Sequence, residues 1–144
     1  MKHLDEYQRM KRYKLGYHTL ILIVVLQAVN YFLNIGWAED PRFESVFILL
    51  IASLYFTVTA VYSGAFFAKW ENPFFASFFH ILSGTLMLLS TNVSQTPLVE
   101  NGQITWQAIN ILSALHLFSI PLTYLVRMTV DKRRDVKEDK LEIK

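Results

Sequence analysis

The charges of this chain are confined to its ends and a few short loops. No Asp, Glu, Lys or Arg occurs between Lys14 and Glu39, between Glu44 and Lys69, between Glu71 and Glu100, or between Glu100 and Arg127. Each interval exceeds the roughly 20 apolar residues that a helix needs to cross a bilayer. A charge at the centre of such a helix costs about 2.5–3.5 kcal/mol on insertion scales, which gives a membrane-spanning chain a reason for this exclusion. The pattern predicts an all-α integral membrane bundle of four transmembrane helices, covering about 15–35, 45–68, 73–91 and 104–127. Residues 1–14 read as a basic amphipathic N-tail and 128–144 as a charged C-tail. At 144 residues, four spans, short loops and two tails leave no length for a separate soluble domain.

Thirteen of the fourteen basic residues fall on one side of these spans; only Arg42 falls on the other, in a loop that also carries Glu39, Asp40 and Glu44. The positive-inside rule then places both termini in the cytoplasm, and an even number of spans agrees. The expected setting is a plasma membrane with an anionic inner leaflet, and no nucleic-acid partner is expected. Leu4, Tyr7, Met10 and Tyr13 interleave with basic residues, so the N-tail either lies on that leaflet as an amphipathic helix or acts as a basic stop that fixes orientation.

With no cysteine, the chain has no disulfide, no thiolate nucleophile and no cysteine metal site. A quinone-linked disulfide oxidoreductase is thereby excluded. Gly36-Trp37-Ala38 has small residues at signal-cleavage spacing. The preceding apolar run, however, is longer than a signal h-region of about 7–15 residues and contains Gln27 and Asn30, so it reads as a retained anchor. Asn92-Val93-Ser94 matches a glycosylation sequon, a three-residue pattern too short to carry weight alone.

Local signals set the expected helix ends. Gly36 suits the left-handed position after helix one. Asp40-Pro41 reads as an N-cap followed by Pro at the first helical position, and Asn72-Pro73 repeats it. A very short turn before Asn72 makes helices two and three an antiparallel hairpin. Residues 92–103 form the longest loop, with Pro97 and Asn101-Gly102 as turn residues. Pro121 predicts a kink in helix four, because it removes a backbone donor and clashes with the preceding turn. Trp37 and Trp106 mark one interface; Tyr17, Trp70 and Tyr124 mark the other. The Phe66, Phe67, Phe74, Phe75, Phe78 and Phe79 cluster reads as packing and lipid contact. Arg134 and Glu138, at i, i+4 spacing, suggest that helix four continues beyond the membrane.

Polar residues inside the spans are the candidates for mechanism. At about 1.5 Å per residue, Gln27, Thr59, Ser83 and His116 fall about 15–18 Å deep, near the midplane. Asn30 and Asn110 form a second pair, farther from the cytoplasmic ends and close to each other in depth. These six either bond across helices and hold the bundle together, or line a polar path. No carboxylate is expected within the membrane, which argues against a proton-coupled multidrug exporter. The signatures of small fluoride channels are missing too. His80 and His116 could in principle ligate a b-type haem, or His116 could titrate, but no cofactor and no metal is expected. Ala60, Gly64 and Ala68 on helix two, and Ala76, His80 and Gly84 on helix three, make ridges that permit close backbone approach. They are expected to pack on each other; failing that, one is free to form a homodimer.

Asp5-Glu6 followed by Lys14-Leu15-Gly16 at the start of the first span resembles small uncharacterised four-helix membrane proteins of Gram-positive bacteria. The resemblance covers the amino-terminal fifth of the chain. It implies a bacterial plasma-membrane protein and assigns no functional residue. The functional expectation is a noncatalytic small membrane protein, a subunit or regulator that packs against a membrane-protein partner or its own copies. The alternatives are a small oligomeric transporter or channel, and a haem-binding or other membrane enzyme.

Overall fold

The computed structural model describes residues 5–94 and 96–142. Four helices long and apolar enough to cross a membrane make up most of the chain. They are α1 (Glu6–Leu33), α2 (Pro41–Tyr62), α3 (Pro73–Ser94) and α4 (Trp106–Glu142), with two short strands, β1 (Val99–Glu100) and β2 (Gln103–Ile104), before α4. The class is a multi-pass α-helical membrane protein.

The expected caps form. Asp40 accepts from the Arg42 N–H at 2.7 Å with Pro41 opening α2, and Asn72 Oδ1 accepts from the Phe74 N–H at 3.0 Å where α3 begins. Other boundaries differ from the sequence expectation. α1 starts at Glu6, inside the expected tail, because Asp5 and Gln8 make a capping box there. It ends with Asn34 in the left-handed conformation, ahead of Gly36. α2 stops at Tyr62, where Gly64 turns the chain at φ +75°, so residues 63–72 form a real connection and not a short turn. Asn101-Gly102, both at positive φ, closes a two-residue β-hairpin, the setting in which that dipeptide is favoured. Pro121 lies within a continuous α4, which extends well past Arg127. The Arg134–Glu138 pairing, and residues 1–4 and 143–144 of the tails, lie outside what the structure describes.

The packing order is the main surprise. α4 packs against both α2 and α3, while α1 packs against α2. The helices thus stand in the order α1–α2–α4–α3, and the helices consecutive in sequence, α2 and α3, are not principal neighbours. Two local features enforce this. Gly84 of α3 lets the Phe118 ring of α4 come so close that an added Cβ would sit 3.1 Å from Cζ. At the other end of the pair, Val61, Phe67 and Ile120 form a buried cluster, with Phe66, Ala76 and Tyr124 packed around it. The connection 63–72 thus inserts its phenylalanines beside α4, and the helix it leads into follows.

Candidate functional site

Three polar clusters occur at three levels. At the end that carries the β-hairpin, the Asn30 side chain donates to Glu44 Oε2 at 2.8 Å and accepts from Trp37 Nε1 at 2.7 Å. The Ala38 N–H approaches the other carboxylate oxygen of Glu44 at 3.4 Å, and Glu44 is buried. This carboxylate was missed by counting charges, which assigned Glu44 to the loop. The signal was present: Asp40-Pro41 starts the helix, so Glu44 belongs to its first turn and turns inward toward α1. The strand residues close over the cluster. Ile104 N–H donates to Trp37 O, Glu39 N–H to Ile104 O, and Glu39 Oε1 accepts from the Trp106 N–H that starts α4.

Between the two ends, Thr57 Oγ1 and His116 Nε2 lie 3.0 Å apart and join α2 to α4. The other residues expected at this level do not converge on them. Thr59 donates to the Tyr55 carbonyl of its own helix, Ser83 is exposed, and neither Gln27 nor Asn110 makes a hydrogen bond among the described residues, though both are half-buried. Depth alone does not fix the face. Successive helical residues are about 100° apart, so Thr57 and Thr59 lie on nearly opposite sides of α2.

The third cluster, at the end that carries both tails, is where α1 engages the connection 63–72. Gln8 Nε2 donates to Gly64 O at 2.9 Å and to Phe67 O at 3.2 Å. The Arg12 guanidinium donates to the carbonyls of Ala65 and Phe66. Arg127 of α4 reaches Val61 O at 3.4 Å and pairs with Asp131 at 3.3 Å; Lys69 lies 3.9 Å from Asp5. Helix C-termini and turns leave carbonyls without intrahelical partners, and cationic donors suit them. Gln8 and Arg12 therefore clamp the α2–α3 connection. From the sequence, Arg12 is one of the basic residues of a tail expected to lie on the leaflet or to fix orientation, with no sign of this contact.

Between this connection, α2 and α3 lies a half-open cavity of about 570 Å³. Ala60, Ala68, Ala76 and His80, four residues of the two ridges, line it; Gly64 instead abuts Arg127 and Gly84 abuts Phe118. The expected ridge on helix two is broken, since Gly64 and Ala68 lie in the connection beyond Tyr62, and the ridge residues face a gap because α4 has taken the place of direct contact between α2 and α3. His80 Nδ1 donates to Ala76 O at 2.7 Å, so each of the two candidate haem histidines spends one ring nitrogen on a protein neighbour. No group of three or more His, Cys, Asp or Glu side chains that could hold a metal occurs among the described residues.

No family model, curated protein or solved structure matches this chain.

Proposed function

We propose that this is a noncatalytic small membrane protein, a subunit or regulator that acts by packing against other membrane helices, with both tails in the cytoplasm of a bacterial cell. The observation that carries the reading is α1. Among its described residues only Leu15 is buried, while Leu20, Ile21, Val24, Val25 and Val29 make an exposed apolar flank that no other described helix covers. α1 and α3 stand at the two ends of the row, each with one principal neighbour, so both present flanks to the membrane. The interhelical polar contacts are local and paired, as in clusters that hold spans together. The orientation rests on the basic tails and connection lying at one end. A photo-crosslinking side chain at Val25 in native membranes tests the reading. A discrete adduct with one protein or with a second copy supports it; adducts with lipid alone count against it.

Glu44 gives a second reading a specific basis. A buried carboxylate beside Asn30 is the kind of group a small oligomeric transporter or channel uses to bind a proton or cation. On that reading, Glu44→Gln, which keeps the hydrogen bond with Asn30 within reach, abolishes flux in proteoliposomes without unfolding the protein.

A further inference from the structure

We propose that the cavity between α2 and α3 binds one anionic phospholipid from the adjacent leaflet, its phosphate on Arg12 and an acyl chain between Phe56, Ala60 and Ala76. This is independent of the packing role above.

Arg12 supplies the charge. Its guanidinium has five N–H donors, and the bonds to Ala65 and Phe66 leave others free. Among the described residues, no carboxylate lies within ion-pair distance of it. Both bonds go to neutral carbonyls, so no described carboxylate pairs directly with the positive charge at the edge of a low-dielectric region, where a phosphate is the natural fork-shaped partner. Arg12 lines the cavity together with Trp70, an exposed indole of the kind that sits at the headgroup level.

Phe56 and Ala60 of α2 face Ala76 of α3 across the gap, and Phe66 and Phe67 close its end. A bare anion would use none of this surface, whereas a lipid places its chain along it. Basic pockets between spans on the basic side of a membrane protein are a known setting for anionic headgroups. Glu71 also lines the cavity, and its carboxylate accepts from the Ala68 N–H at 2.8 Å. Its negative charge disfavours a simple anion and favours a headgroup that donates hydrogen bonds, such as a glycerol. His80 Nε2, unbonded among the described residues, offers a further acceptor. The chemistry is therefore a phosphodiester flanked by hydroxyls, as in phosphatidylglycerol.

The test is native mass spectrometry of the full chain in neutral detergent, titrated with phosphatidylglycerol, phosphatidylcholine and inorganic phosphate. One phosphatidylglycerol is expected to bind at least about tenfold more tightly than phosphatidylcholine, with no stable phosphate adduct. Arg12→Gln should lose at least about tenfold in affinity, and Lys14→Gln, an exposed neighbour, less than about twofold. Ala68→Leu, which fills the cavity with Arg12 intact, should also lose the lipid. Should Arg12→Gln fail to fold, Ala68→Leu decides alone. Equal binding of the two lipids, equal binding of inorganic phosphate, equal losses in Arg12→Gln and Lys14→Gln, or full retention by Ala68→Leu would each overturn the proposal.

Discussion

Gly64 is held by two independent constraints, and their separation is measurable. Its φ of +75° lies in the left-handed region, and an added Cβ would collide with the Arg127 guanidinium. A non-glycine residue in that conformation costs about 1–2 kcal/mol. Displacing Arg127 adds the loss of its long bond to Val61 O, about 0.5–1.5 kcal/mol. Gly64→Ala is therefore expected to cost about 1.5–3.5 kcal/mol. In an Arg127→Ala background the collision is gone, and the same substitution should cost only the backbone share, about 1–2 kcal/mol. Reversible unfolding in mixed micelles by SDS titration, followed by far-UV circular dichroism, reads both values. A cost below about 0.5 kcal/mol would refute the backbone argument. Equal costs in the two backgrounds would refute the placement of Arg127 against Gly64.

Three further outcomes follow from the packing. Gly84→Leu should wedge α3 from α4 at Phe118 and destabilise by about 1–3 kcal/mol in the same titration, with Phe118→Ala as a second-site partner that recovers part of the loss. Thr57→Val leaves His116 Nε2 without its partner and should cost about 0.6–2 kcal/mol, while Thr59→Val, whose hydroxyl serves only its own helix, should cost less. Asn30→Leu strands the buried Glu44 carboxylate and should cost about 1–3 kcal/mol; adding Glu44→Met should restore much of it, which thermal stability of the single and double variants would show.

The four spans were legible because charge exclusion is an all-or-none signal over some twenty positions, and the Asp40-Pro41 and Asn72-Pro73 starts because caps are local chemistry. The order α1–α2–α4–α3 was not legible. It depends on where Phe66 and Phe67 of the connection bury and on one glycine that admits Phe118, neither of which has a periodic signature. The polar layer shows the same limit. Rise per residue was counted from expected helix ends, and α2 stops at Tyr62; the azimuth decides contact, so His116 met Thr57 and not Thr59, while Ser83 faces outward one residue from the buried Gly84. Glu44, Gln8 and Arg12 were hidden for a different reason. Each is a polar residue next to a span boundary, where sequence reading credits solvent or topology and structure shows a long side chain turned back onto backbone or a neighbouring helix.

The most direct measurement of the central claim is purification of the full chain from native membranes into nanodiscs through a C-terminal tag, with intact native mass spectrometry of the particle. A defined stoichiometry with a second membrane protein or with further copies of this chain is expected, disrupted when Val24 and Val25 on the exposed flank of α1 are replaced by Trp. A lone monomer, indifferent to those substitutions, would contradict it.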